Sequence, residues 1–306
     1  MNGIEFKIRN FLKRVGHAFG VGEDYNKLKN QIVYTLKAHD LYKSTIHSSE
    51  MGVSTEKYCD EEIVVSLTTY GKRLSQVYRT IESIMQGTLK PNHIVLWIDE
   101  DTEYIPITLR KQEIRGLEIR RCKDDIRSFK KLIPSLKTYP DASIITIDDD
   151  LIYNEDFVEN LVREHKKEPK VICANRVHKI VLGQDGKPVS YMDWKWCSSE
   201  LGKSNLNFFT GVGGVLYPPH SLNDEVFNQD VFLDICKYAD DVWFFAMGLL
   251  NGTEIKKVPT NDPQYLLNED VQDVALRVSN TDFQNCGNDV QIRKVFEKYN
   301  IYSKLK

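Results

Sequence analysis

Residues 143–153 read SIITIDDDLIY, an apolar run that ends in three consecutive aspartates. Four β-branched or small residues and an isoleucine lead into Asp148, Asp149 and Asp150, the composition of a buried strand. Adjacent carboxylates repel one another, and a buried carboxylate is costly unless a cation or hydrogen-bond donors meet it. A metal ion, a helix N-terminus or water can fill that role. Alternate strand residues share a face, so Asp148 and Asp150 point to one spot. A hard divalent cation such as Mn²⁺ or Mg²⁺ favours carboxylate oxygens and shares its shell with phosphate oxygens. The plainer alternative is a solvated acidic turn before a helix, where the helix dipole favours acids.

The surroundings place this run in a repeating pattern. Upstream, IVVSLTTY (63–70) reads as a strand, RLSQVYRTIESIMQG (73–87) as a helix ended by Gly87, and HIVLWID (93–99) as a second strand. LEIRRC (117–122) is a third strand, FKKLIPSLKTYP (129–140) is partly helical, and NEDFVENLVREHKK (154–167) is a helix with Asn154 as its cap. Strand–helix alternation predicts an α/β fold with a mainly parallel sheet covered on both faces. Ligands of such sheets sit at the carboxyl ends of the strands. TTYGKR, Asp99 and the aspartate run all fall there.

Beyond residue 170 the pattern loosens. VICANRVHKIVLGQDGKPVSYMDWKW reads as strands with an Asp-Gly turn, FFTGVGGVLYPP as a glycine-punctuated strand, and ADDVWFFAMGLL as a helix with an acidic start. At the other end, Ile4, Ile8, Phe11, Leu12, Val15 and Phe19 share one helical face. Leu28, Ile32, Val33, Leu36 and Leu41 mark a second helix, and the Ser/Thr-rich stretch 44–60 reads as a linker. The expected organisation is a helical extension and linker over 1–55 and one domain over 60–306, with a donor half to about 152 and an acceptor half from about 153.

Composition narrows the function. The 306 residues are 41% hydrophobic and 28% charged, with a net charge of −3, the profile of an ordinary globular protein and not of a dedicated nucleic-acid binder. Charge is uneven, with eight Lys/Arg against four Asp/Glu in residues 1–43. Cys59, Cys122, Cys173, Cys197, Cys236 and Cys286 show no C-x-x-C spacing, which fits reduced thiols in the cytosol. No apolar run reaches the ~20 residues of a membrane span, and no signal peptide is evident. The basic amphipathic N-terminus (1–20) suits the surface of an anionic membrane, packing on the domain, or pairing in a homo-oligomer.

Candidate chemistry follows from the motifs. Thr68, Thr69, Tyr70 and Arg73 leave the first strand in a loop that can hold a nucleotide, although it is neither a P-loop nor a dinucleotide turn. Lys130 and Lys131 lie near the strand ends, where they can meet phosphate. Asp240 and Asp241 either cap their helix or supply a general base; the apolar run beside Asp241 favours it for the base. Gly211, Gly213 and Gly214 allow close approach of backbone to a ligand, and Trp194 and Trp196 form either a sugar-stacking wall or core.

Taken in order, SLTTYGKR, the strand ending in Asp99, KKLIP, ITIDDDLIY, FFTGVGGVLYPP and ADDVWFFAMGLLNG resemble bacterial glycosyltransferases of the GT-A fold, near the family 2 type. The resemblance covers roughly residues 60–255. It implies a Rossmann-like GT-A sheet and metal-dependent transfer of a hexosyl or related group from a nucleotide sugar, with a UDP-sugar as the first donor to consider. The acceptor it implies is a glycan or lipid-linked hydroxyl in surface polysaccharide or lipopolysaccharide assembly, at the inner face of the cell membrane. It assigns Asp99 to the base, Asp148 to ribose or metal, Asp150 to metal, Asp149 in place of either neighbour, and Asp240 or Asp241 to the catalytic acid of inverting members. The usual Glu-Asp at that last position is Ala-Asp-Asp here. The Q-x-x-R-W motif of processive synthases is missing, which favours transfer of single sugars. Rival readings are a sugar-phosphate nucleotidyltransferase, whose glycine-rich signature loop is absent, and a non-catalytic scaffold that binds a membrane or a partner. Asn288 and Asp289 either help close the donor site or cap a terminal helix.

Overall fold

The computed structural model describes residues 22–260, 265–267 and 287–305. The expected helix over residues 4–19, and with it the membrane reading, lies outside them. Eight strands form the main sheet: β1 (Ile63–Thr68), β2 (His93–Asp99), β3 (Leu117–Cys122), β4 (Ser143–Thr146), β6 (Ile172–Ala174), β8 (Gly202–Lys203), β10 (Val215–Tyr217) and β11 (Ile255–Lys257). Their spatial order is β3-β2-β1-β4-β10-β6-β11-β8. All neighbours from β3 to β4 pair parallel, as do β6 and β11, while β10 and β8 run against their partners. This is the mixed α/β fold with a mostly parallel sheet that the alternation predicts. One sheet joins both expected halves, because β10 lies beside β4.

The strands read as continuous apolar runs because both faces are covered. Val64, Val95 and Ile144 enter one core cluster, while Ile63, Val65, Leu67, Ile94, Leu96 and Ile145 enter the other. That is the period of two expected of a strand. Helices α2 (Tyr78–Met85), α3 (Ile107–Glu113), α4 (Ile133–Thr138), α5 (Phe157–Lys167), α6 (Gln229–Ile235), α7 (Asp240–Asn251) and α8 (Asn288–Lys298) complete the layers. In α7, Val242, Trp243, Phe244, Phe245, Ala246 and Met247 are all at 0% exposure. A helix apolar all round is an interior one.

Several boundaries differ from the sequence reading, and the expected glycine-punctuated strand is two strands, β9 (Asn207–Phe209) and β10, parted by a 3₁₀ turn at Gly211–Gly213. The second N-terminal helix, α1, runs over Gly22–His47, so the start of the expected linker is helical. Its Thr45 hydroxyl reaches the buried Glu82 at 3.2 Å, and its Ala38 and Leu41 pack with Ile152. The β4 strand ends at Thr146, before the aspartates, and the chain turns into the short β5 (Leu151–Tyr153). Outside the main sheet, β5 pairs with β12 (Tyr265–Leu267) and β7 (Val177–Lys179) with β9. Finally, α5 begins at Phe157 with Asp156 at its cap position, without a side-chain cap bond. Asn154 instead offers its carbonyl to the Phe157 N–H at 3.1 Å.

Away from the carboxyl edge, Glu82 is fully buried and takes two hydrogen bonds from Arg115, at 2.9 and 2.7 Å, and one from Gln112 at 3.1 Å. This pair ties α2 to the turn before β3.

Candidate functional site

At the carboxyl edge, β1, β2 and β4 deliver their last residues side by side, and the antiparallel β10 begins there, with Val215 opposite Thr146. The glycine segment 211–214 therefore sits beside the aspartate turn. The N-terminus of α7 closes the group from the other side. Gly211 donates its N–H to both oxygens of Asp241, at 3.0 and 3.1 Å.

Lys131 occupies the centre. Its Nζ lies 3.0 Å from Asp148 Oδ1 and 2.9 Å from Asp240 Oδ2. A Cβ on Gly211 would stand 2.6 Å from Lys131 Nζ, 3.1 Å from Asp241 Oδ1 and 3.5 Å from Asp148 Oδ1. The absence of a side chain at Gly211 lets the backbone approach these charged ends without displacing them. Three carboxylates thus surround one ammonium. Burial by itself would depress the lysine, but Asp148, Asp240 and Asp241 outweigh it and hold its pKa well above the ordinary value. Burial, and then the negative charge of Asp240, pushes Asp241 from 3.8 up to about 7, against the pull of Lys131 and the Gly211 N–H. Asp241 is therefore poised to exchange a proton near neutral pH.

The three aspartates have different surroundings. Asp149 is buried; it accepts from the Thr69 hydroxyl at 2.6 Å and from Arg73 Nη1 at 2.7 Å. Burial raises its pKa, opposed by Arg73 and Thr69. Asp150 lies 3.4 Å from Arg73 Nη2. Asp148 keeps a side chain 30% exposed, and its backbone N–H donates to the Tyr153 hydroxyl at 3.0 Å. Among the described residues Asp148 Oδ2 accepts no hydrogen bond. Carboxylate oxygens of Asp148 and Asp150 make a hard donor set, which fits Mn²⁺ or Mg²⁺.

Several predicted residues pair with one another. Lys130 meets Asp99, at the end of β2, and stands 3.6 Å from Asp125. Thr68 donates to the Trp97 carbonyl at 2.9 Å, and Tyr70 stands exposed on the loop. The two tryptophans part ways. Trp194 is 4% exposed and donates to the Val189 carbonyl at 3.0 Å, so it is core. Trp196 is 39% exposed and stacks on His178 at 4.7 Å. Gly213 backs onto Arg176, and Gly214, at φ +80°, packs where a Cβ would meet Phe157 at 2.3 Å.

Sequence reasoning did not reach Tyr153, Tyr191 or Arg176. Tyr191 is buried, and its phenol is pushed up to about 12 by that burial and then by the charge of Asp241, which links the Trp196 loop to the carboxylates. Asp289 of α8 holds that loop, accepting from the Ser190 hydroxyl at 2.8 Å and the Tyr191 N–H at 2.6 Å. No local motif announces such contacts, which join positions about 100 residues apart in the chain.

Solved structures similar to this chain include S. aureus TarS and a mannosyltransferase. Residues 1–349 of S. aureus TarS match at 16% identity over 67% of this chain and 59% of that one, with a TM-score of 0.45. The same fragment in complex with UDP-GlcNAc matches at 16% identity over 67% and 57%, with a TM-score of 0.44. A mannosyltransferase, PcManGT from Pyrobaculum calidifontis, in complex with GDP-Man and Mn²⁺, matches at 11% identity over 76% and 65%, with a TM-score of 0.42. The chain thus spans about 59% of the length of the TarS fragment. No protein-family model and no curated protein matches it. Among the described residues no helix is long and apolar enough to cross a membrane.

Proposed function

We propose that the chain transfers a hexosyl or related group from a nucleotide-sugar donor to an acceptor hydroxyl, with inversion. The observation that carries this reading is the meeting of Asp148, Asp240, Asp241 and Lys131 at one point of the carboxyl edge. Asp241 takes the proton of the acceptor hydroxyl as that oxygen attacks the anomeric carbon and the bond to the diphosphate oxygen breaks. The grip of the Gly211 N–H on both Asp241 oxygens fixes the base in place. Asp240, paired with Lys131, positions that ammonium and places its negative charge beside the base.

Asp148 and Asp150 would hold a divalent cation, Mn²⁺ or Mg²⁺. When bound, such an ion supplies Lewis-acid neutralisation of the leaving diphosphate. Asp149 does not share this duty, because Thr69 and Arg73 already take its oxygens. Thr68, Thr69 and Arg73 shape the donor loop, Tyr70 offers it an exposed ring, and the Asp99–Lys130 pair borders the base pocket. On the acceptor side Trp196 offers its exposed ring, while Gly213 and Gly214 pack against Arg176 and Phe157 and Trp194 stays in the core. A UDP-sugar is the first donor to try. The acceptor is a glycan or lipid-linked hydroxyl of surface polysaccharide assembly, met at the cytoplasmic face of the membrane.

A thermal-shift screen of nucleotide sugars with Mn²⁺ tests the reading, because a ligand at 100 times its Kd adds about 2.7 kcal/mol to the native state. At least one nucleotide sugar should raise Tm only with the metal present. A flat response across UDP-, GDP-, CMP- and dTDP-sugars would refute donor binding.

A further inference from the structure

At the opposite, amino-terminal edge of the sheet, Cys59 and Glu61 precede β1, Ser143 opens β4, and His165 lies in the last turn of α5. Cys59, Glu61 and His165 each bring one ligand atom to within 4.8 Å of the others. His165 is 1% exposed, and its Nε2 meets a Glu61 oxygen. The Ser143 hydroxyl donates to the same Glu61 oxygen at 2.7 Å. Among the described residues the buried His165 Nδ1 has no hydrogen-bond partner. A buried imidazole with one nitrogen bonded to a carboxylate and the other bare is half satisfied.

We infer that Cys59, Glu61 and His165 form a second metal site, suited to Zn²⁺ and separate from the carboxylate site at the other edge. The donor types decide the metal. A thiolate, an imidazole and a carboxylate together favour a borderline-soft ion over Mg²⁺ or Mn²⁺. Zinc–ligand bonds of about 2.0–2.3 Å need these atoms drawn closer by an ångström or so, a movement within reach of the half-buried Cys59 side chain. On binding, the Cys59 S–H gives its proton to solvent and the sulfur bonds the metal. The imidazole moves its proton from Nε2 to the bare Nδ1 and contributes the Nε2 lone pair, Glu61 contributes an oxygen, and Ser143 holds the carboxylate from behind. Water completes the shell from the open side of Cys59. The ion clamps the segment that leads into β1 onto the end of α5, so the site is structural.

The full-length chain, stripped with a chelator and desalted, is titrated with Zn²⁺ against a chromophoric competitor, and with Co²⁺ while near-ultraviolet absorption is followed. The inference expects one tight Zn²⁺ per chain, retained by an Asp148→Asn/Asp150→Asn double variant, and a sulfur-to-cobalt charge-transfer band. Cys59→Ala should lose that band and bind Zn²⁺ at least about tenfold more weakly. Cys59→Ser, closer in shape and polarity, serves as the second variant, with circular dichroism showing that each is folded. Absence of the cobalt band in the wild type, or Zn²⁺ affinity unchanged in both variants, overturns the site.

Discussion

Gly211 donates its N–H to both carboxylate oxygens of Asp241, at 3.0 and 3.1 Å. The backbone reaches that position because Gly211 has no Cβ, which would press on Lys131 Nζ at 2.6 Å. One glycine therefore sets both the orientation of the proposed base and its distance from the ammonium. Gly211→Ala should leave a folded protein whose kcat falls by tenfold or more, with donor affinity changed less. Steady-state kinetics beside a donor titration checks this split.

The elevated pKa of Asp241 has two consequences. As a base it must be ionised, so kcat/KM should rise about tenfold per pH unit below about 7 and level off above it. For stability the sign is the reverse of the usual carboxylate case. Between 3.8 and about 7 the folded chain holds a proton that the unfolded chain has lost. Stability is therefore greatest below that window and falls as pH rises through it. Asp241→Asn should abolish transfer, by about 10²–10⁴-fold, and raise Tm over wild type more at pH 8 than at pH 5.

The aspartate run divides into two kinds of residue. Asp148→Asn and Asp150→Asn should each weaken Mn²⁺-dependent donor binding by more than tenfold in calorimetry. Asp149→Ala should cost on the order of 3 kcal/mol of stability in urea unfolding, because it leaves the Arg73 guanidinium partly unpaired in a buried place.

A control lies at the far side of α2. Arg115→Met strands the Glu82 carboxylate, which is fully buried, and should cost about 3–5 kcal/mol. Activity per folded molecule should persist at low temperature, since neither residue touches the carboxylate cluster.

How far the sequence reveals these features depends on the range of the interaction. The α/β alternation is local, and so the strands 63–68, 93–99 and 117–122 are legible from apolar runs and turn residues. The β4 strand reads too long because the apolar run continues through Ile147, yet it ends at Thr146, and beyond it the Asp148 N–H goes to the Tyr153 hydroxyl at 3.0 Å. Which aspartate faces inward depends on Arg73 and Thr69, 76 and 80 positions away, and no periodicity encodes that pairing. The apolar run beside Asp241 suggests that it is the more deeply buried of the two, yet Asp240 is the one at 6% exposure. Lys131 pairs with Asp240 and leaves Asp241 to Gly211. Trp194 and Trp196 look alike in sequence, and only tertiary packing sends one inward.

The most direct test of the whole account is nucleoside diphosphate release from a panel of nucleotide sugars with Mn²⁺, measured for the wild type and Asp241→Asn in parallel. The account predicts turnover of at least one donor by the wild type, and an Asp241→Asn variant that binds the same donor equally well yet releases diphosphate at least about 100-fold more slowly. Equal turnover by the two proteins, or none by the wild type with any donor, would contradict it.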